Sequence, residues 1–149
     1  MTNSLSLPPP SRIVLLGRAV LSRNGSARGR SSAKLEEAHL FIARHLSDYK
    51  LNPERIARAL CISVRQLHLC FEPTGESLGQ YIRRRRLEEC RAMLESPMTV
   101  QRSVMEIAFA CGFSSMPTFY RAFHHAYGAA PLAIHTAAMA RLVGPNGDQ

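Results

Sequence analysis

The chain has 149 residues and a formal net charge of +8, and arginine supplies nearly all of its positive charge because lysine occurs only at Lys34 and Lys50. This length is enough for one domain with a modest core. A basic excess of this size favours a polyanionic partner, either nucleic acid or an anionic membrane surface, while the absence of any apolar run near ~20 residues excludes a membrane-spanning helix.

Serine, proline, glycine and arginine dominate residues 1 to about 33, which contain no acidic residue. This composition predicts a disordered basic arm over residues 1–34. Two alternatives stay open for the same segment. It has the composition of an organelle transit peptide, and a short amphipathic helix near residues 12–22 would let residues 11–23 lie on a membrane surface.

From Leu35 onward, apolar residues recur at spacings of three and four, and no stretch alternates like a strand, so the predicted fold class is all-α. Asn52 and Ser63 are expected to cap helices, and Pro53 fits a first helical turn. The predicted helices are 35–46, 52–60, 63–73, 77–95, 103–111 and 115–127. The folded domain is expected to cover residues 35–138, followed by a flexible tail over residues 139–149.

An internal repeat is the most informative feature of the chain. Residues 56–63 and residues 107–114 both read I-A-x-A-x-x-apolar-Ser. Downstream, Leu67 and Phe71 correspond to Phe119 and Phe123 with one residue inserted, and each copy ends at a glycine. Two helices that cross steeply over a short turn require a small residue at the crossing and an apolar residue that anchors the turn in the core. The second helix also needs a cap, which Ser63 supplies in one copy and Ser114 or Ser115 in the other. Gly112 suits a turn position that adopts positive φ.

Residues from about 36 to 135 resemble the DNA-binding domain of the AraC/XylS family of transcription regulators. The resemblance implies seven helices that form two helix-turn-helix subdomains joined by a long linker helix, with both recognition helices in adjacent major grooves. The chain departs from the family at Leu69, Cys61 and Ile134-His135, where arginine, glycine and an aromatic-arginine pair are common. The residues that carry the resemblance are Ile56-Ala57, Ser63, Leu67, Phe71, Thr74-Gly75, Tyr81-Ile82, Arg86-Leu87, Ile107-Ala108, Gly112-Phe113, Phe119, Phe123, Gly128 and Pro131.

Most of the candidate DNA-binding residues are predicted on the outer sides of the second helix of each copy. Arginine pairs with guanine and glutamine with adenine in the major groove, and methyl groups of methionine and threonine meet the thymine methyl. Within the run of four arginines from Arg83 to Arg86, one or two should face DNA, whereas Arg86 should pair internally with an acid. The predicted set is Ser63, Arg65, Gln66, His68, Arg83, Arg84, Ser115, Met116, Thr118 and Arg121.

The chain lacks a Ser-His-Asp set, paired carboxylates and a phosphate-cradling glycine loop, which indicates that it is not an enzyme. No cysteine pair or histidine has zinc-finger spacing, so no metal or cofactor is expected. We therefore expect a cytoplasmic, sequence-specific regulator that binds double-stranded DNA as a single chain, with RNA polymerase as a further partner and no membrane partner. The alternatives are a DNA-binding fragment without regulatory output and a helical protein-interaction module.

Overall fold

A computed structural model describes residues 27–144, and it is all-α, as the sequence predicts. One short 3-10 helix, Glu72–Thr74, lies between the third and fourth α-helices. The α-helices within the described residues are α1 (Ala27–Arg44), α2 (Pro53–Ala59), α3 (Val64–Phe71), α4 (Leu78–Glu95), α5 (Val104–Ala110), α6 (Met116–Tyr127) and α7 (Pro131–Leu142).

The first helix begins earlier than the sequence pattern indicates. The predicted boundary between arm and domain falls at residue 34, but α1 starts at Ala27. Contacts with later residues hold this extension in place: Ser31 Oγ lies 3.8 Å from Cys70 Sγ, and Lys34 Nζ donates to the carbonyl of Leu60. The rest of the proposed arm, together with the alternatives for residues 11–23, lies outside the described residues.

Polar side chains cap the helices where the sequence predicts them. Asn52 Oδ1 accepts a hydrogen bond from the Arg55 amide, and Ser63 Oγ accepts one from the Gln66 amide. Ser77 and Ser103 each form a reciprocal capping box with the residue three positions on. These bonds satisfy amide donors that would otherwise have no partner at the helix start.

Two hydrophobic cores are built around the two copies of the repeat. The first core joins α1, α2, α3 and the beginning of α4, and includes Ile42, Ile56 and Phe71. The second core joins the end of α4 with α5 and α6, and includes Leu94 and Ile107. The 18-residue α4 therefore contributes to both cores and links them. We call α2–α3 with its turn the N-terminal unit and α5–α6 with its turn the C-terminal unit.

Arg86 holds α4 against the loop that follows α1. Its Nε and Nη2 donate to the carbonyls of Leu46 and Asp48, at 3.0 and 2.8 Å, in the loop that follows α1. The prediction that Arg86 pairs with an acid was therefore wrong. Only the backbone carbonyl of Asp48 binds Arg86, because the Asp48 carboxylate pairs with Arg55. Burial lowers the pKa of Arg86. Two backbone carbonyls satisfy a half-buried guanidinium here because the loop brings them together beside α4.

Helix α7 packs against the C-terminal end of α4. His135 is buried, and its Nδ1 lies 3.3 Å from the Leu94 carbonyl, while Ile134 packs against the second core. The two residues that depart from the family pattern thus contact the core. Helix α7 continues to Leu142, so residues 139–142, predicted to belong to the tail, are helical. Residues 145–149 lie outside the described residues.

Candidate nucleic-acid interface

The turns of the two units have the same hydrogen-bond geometry. In the N-terminal unit the amides of Cys61 and Ile62 donate to the carbonyls of Arg58 and Ala57. In the C-terminal unit the amides of Gly112 and Phe113 donate to the equivalent carbonyls of Phe109 and Ala108. This pair of bonds requires a left-handed residue after the first helix, and Cys61 and Gly112 have φ of 54° and 88°.

The turn sets the direction of the second helix in each unit. After the left-handed residue, the apolar plugs Ile62 and Phe113 pack against the first and second cores. Ser63 caps α3, and of the two candidates for the second cap it is Ser115 that accepts the Thr118 amide. The C-terminal unit has one more residue, Ser114, between its plug and its cap, and α3 and α6 each present one face to solvent.

In α3 that face carries three of the predicted DNA-binding side chains. Leu67 and Phe71 are buried, whereas Arg65, Gln66 and His68 are exposed. At ~100° of rotation per residue, Arg65 points away from the core and Gln66 and His68 lie on opposite flanks. Leu69 also lies on the outward face and is 44% exposed.

The two caps align the faces of α3 and α6 residue by residue. With Ser63 set against Ser115, buried Leu67 matches buried Phe119, and Gln66 matches the exposed Thr118. In the same register, Leu69 matches the exposed Arg121. A position occupied by an apolar side chain in the N-terminal unit is therefore occupied by a cation in the C-terminal unit.

The structure adds one residue to the predicted interface and gives another a mixed role. Tyr120, which matches His68, is 39% exposed on the flank of α6, and its ring contacts Phe119 edge-on. Alignment by the serine caps would have identified it from the sequence. Met116 is half-buried against the second core, so only part of its side chain is available to a ligand.

The four consecutive arginines of α4 have four different surroundings. Arg84 forms hydrogen-bonded ion pairs with Glu76 and Glu88, and its guanidinium lies over the Tyr81 ring. Arg85 pairs with the same Glu88, at 3.0 Å. The hydrogen bonds from Arg84 hold the pKa of Glu76 below its usual range. Neither Arg83 nor Arg86 has an ion pair within residues 27–144, and Arg86 binds two backbone carbonyls instead.

Arg83 lies on the side of α4 that faces α6 across a cleft. Together with Gln80 of α4, it lines a cleft whose opposite wall is formed by Thr118, Arg121 and His125 of α6. Arg83 and Thr118 also line the groove that separates the two units. The cleft therefore brings two of the predicted phosphate-binding or base-binding arginines to one side of the molecule.

Three of the four cysteines belong to the cores. Cys70, Cys90 and Cys111 are buried, and only Cys61 is exposed. The neighbouring Cys111 thiol, and then burial, raise the pKa of the Cys90 thiol, which keeps it neutral. The described residues contain no cluster of three or more side chains that could hold a metal ion, and none of their helices is long and apolar enough to cross a membrane.

Comparison with known sequences gives one family and several relatives. A model of the helix-turn-helix domain family matches residues 56–136. The HTH-type transcriptional regulator ArgR of Pseudomonas aeruginosa is 34% identical over 104 residues, which cover 69% of this chain and 30% of that protein. The XylDLEGF operon transcriptional activator 2 of Pseudomonas putida is 32% identical over 119 residues, which cover 77% of this chain and 74% of that protein. The chain thus spans less than a third of the former relative.

Solved structures show the same arrangement of helices. An AraC-type transcriptional regulator from Chromobacterium violaceum superposes with a TM-score of 0.64 and 25% identity, covering 82% of this chain and all of that chain. The DNA-binding domain of AdpA, solved in complex with a target DNA, superposes with a TM-score of 0.63 and 26% identity, covering 76% of this chain and 98% of that chain.

Proposed function

Since the chain belongs to the AraC/XylS family of helix-turn-helix transcription regulators, we propose that it binds duplex DNA sequence-specifically, with α3 and α6 in two adjacent major grooves. The observation that carries this proposal is the pair of matching turns, each followed by a capped helix with an exposed polar face. A major groove admits one α-helix, and side chains on its outer face read the base edges.

The site residues have distinct proposed roles. Arg65, Gln66 and His68 of α3, and Thr118 and Arg121 of α6, face the bases, with Tyr120 and the exposed part of Met116 at the edge of the second set. The serine hydroxyls of the caps, Ser63 and Ser115, lie at the N-termini of α3 and α6, where backbone phosphates are favoured. Arg83 is the proposed phosphate contact of α4. Arg84, already paired with Glu76 and Glu88, is assigned a structural role in preference to the predicted DNA contact.

One chain should occupy one asymmetric site. Most helix-turn-helix proteins carry one unit per chain and bind palindromes as dimers, with half-sites about 34 Å apart. Here both units lie on one chain, and α4 has 18 residues, which corresponds to roughly 27 Å at 1.5 Å per residue. The outward side chains also differ between α3 and α6, so the two half-sites need not resemble each other.

Selection of bound duplexes from a random pool, followed by measurement of stoichiometry on the selected site, tests this proposal. We expect a non-palindromic consensus about two helical turns long, bound by a single chain. A palindrome bound by two chains would instead show that one unit is idle. If no consensus emerges, the protein does not read sequence.

Binding should depend strongly on salt. If basic side chains neutralise roughly six phosphates, affinity falls about a thousandfold between ~50 and ~200 mM salt. A flat salt response would contradict a duplex-DNA partner.

The relative in Pseudomonas putida is named a transcriptional activator, so we further propose that the bound chain acts on transcription through RNA polymerase. Transcription in vitro from a template carrying the selected site tests that step.

A further inference from the structure

The first two turns of α1 lie in a fixed position beside the recognition helix of the N-terminal unit. Ser31 contacts Cys70 of α3, and Lys34 donates to the carbonyl of Leu60 just before the turn. These contacts join residues far apart in the sequence, so they position the start of α1 relative to α3. The basic side chains on this part of α1 are therefore held next to a proposed reading surface.

A groove runs between the two helices and opens toward the outward face of α3. Arg30 and Lys34 line one wall, and Gln66 and Leu69 line the other. Gln66 lies on one flank of the exposed face and Leu69 lies on the face itself. A duplex whose major groove receives α3 would therefore bring its sugar-phosphate backbone past the Arg30 side of the groove.

Among the basic residues of this segment, Arg30 is the one free to bind an anion there. The Lys34 ammonium already pairs with Glu37 at 2.7 Å and with the Leu60 carbonyl. Arg30 is exposed and makes no ion pair within residues 27–144. Arg28 is also exposed but does not line the groove, because residues two positions apart in a helix are separated by a rotation of about 200°.

We infer that the Arg30 guanidinium binds a DNA backbone phosphate beside the base pairs that α3 reads, on the side away from α6. The inference rests on the proposed function and extends it, because it adds a contact outside the two recognition helices and lengthens the footprint at one end. A guanidinium suits this role because it donates two hydrogen bonds to one phosphate. The contact positions the duplex and carries no base preference.

The test compares Arg30→Ala with Arg28→Ala, which removes the same charge two residues away. The probe is a duplex selected by the wild-type protein from a random pool. Loss of one phosphate contact reduces the magnitude of the slope of log K against log salt by about 0.9. The factor by which affinity falls between ~50 and ~200 mM salt should therefore be about three times smaller for Arg30→Ala than for the wild type. Arg28→Ala should keep the wild-type slope, and Arg30→Lys should restore most of it.

A trimmed duplex locates the contact. The end nearest α3 is identified as the one at which Arg65→Ala loses base discrimination, and base pairs are then removed from that end. On the trimmed duplex, wild type and Arg30→Ala should bind equally. An equal slope change in both alanine variants, or a difference that persists on the trimmed duplex, would overturn the inference and leave the proposed function intact. If wild type fails to prefer the selected duplex over a scrambled one, the proposed function is wrong and the inference with it.

Discussion

In the N-terminal unit the left-handed turn residue is Cys61, with φ of 54°, whereas the C-terminal unit places Gly112 there, with φ of 88°. Cys61 is exposed, and its side chain extends into solvent. Gly112 is buried, and a Cβ at this position would lie 2.4 Å from the Leu46 carbonyl oxygen and 2.8 Å from Arg86 Nε. The same backbone turn thus tolerates a side chain in one unit and excludes it in the other.

The difference arises from where each turn lies. The Gly112 turn packs against the loop between α1 and α2 that Arg86 also binds, so it lies at a contact between the C-terminal unit and the N-terminal part of the fold, whereas Cys61 is exposed. Conformational strain acts alone at Cys61, while strain and close packing act together at Gly112. The outward faces of α3 and α6 differ as well, since the position of Leu69 in α3 corresponds to that of Arg121 in α6 when the two helices are aligned by their caps. Equivalent substitutions in the two units should therefore have unequal effects.

Gly112→Ala should reduce the free energy of unfolding by about 2–5 kcal/mol. The left-handed conformation costs roughly 1–2 kcal/mol for a residue with a Cβ, and forcing a methyl group against a backbone oxygen adds about 1–3 kcal/mol. Urea denaturation gives the difference. Gly79→Ala is the matched control, because a Cβ there meets nothing within 4 Å and alanine favours the helix. A loss below about 1 kcal/mol in Gly112→Ala would show that the loop moves aside.

Arg121→Ala should weaken DNA binding by about 1–3 kcal/mol, the value of a guanidinium contact to a base, and leave the thermal midpoint nearly unchanged because the side chain is exposed. Leu69→Arg, which gives the N-terminal unit the equivalent cation, should strengthen binding. Arg141→Ala removes an exposed arginine from α7 and serves as the control for net charge. If Arg121→Ala and Arg141→Ala lose affinity equally, Arg121 acts only through its charge.

Cys61→Gly should stabilise the protein by about 0.5–1 kcal/mol, measured by urea denaturation in reducing buffer. Relief of the left-handed strain contributes roughly 1–2 kcal/mol, and the greater freedom of glycine in the unfolded chain offsets part of it. Cys61→Ala keeps a Cβ at the same φ and should give no gain. Equal stabilisation by both variants would mean that the thiol, and not the backbone angle, is unfavourable.

The smallest expected effect is a pH dependence of the free energy of unfolding that arises from His39, which packs beside the first core. His39 stacks on Tyr81, its ring meets Phe71 edge-on, and its Nε2 is buried with no hydrogen-bond partner among the described residues. Burial first, and then the charges of Arg84 and Arg85, hold the pKa of His39 below its ordinary 6.5, while Glu36 and Glu76 act weakly in the opposite direction. The neutral ring is therefore the form that the fold favours.

The sign of the effect follows from that direction. The contribution of neutral His39 is complete above about pH 6.5 and is lost as the pH falls toward the lower pKa of the folded state. His39→Phe, which keeps an aromatic ring and removes the titration, should therefore gain on wild type as the pH is lowered from about 7.5 to 5.5. Urea midpoints of both proteins measure this difference. A difference that does not change with pH would show that the pKa of His39 is the same in the folded and unfolded states.

Much of the proposed interface was predictable because its determinants are local. The serine caps, the left-handed turn and the spacing of buried residues each depend on residues within four or five positions, so the repeat alone indicated both units. Comparison of the two caps also aligns Leu69 with Arg121 and His68 with Tyr120. Which side of each helix faces outward follows from the same periodicity.

The neighbours of the long, charged side chains were decided by tertiary structure. Four arginines in sequence look alike, yet Arg84 pairs with Glu76, eight positions earlier and just before α4, and Arg86 reaches carbonyls some forty residues away. The early start of α1 has the same origin, since residues 27–34 gain their position from contacts with α3 and with the residue before its turn. A local pattern fixes backbone angles within a few residues, whereas a flexible side chain selects among several distant partners, and only the packing of the helices determines which partner is within reach.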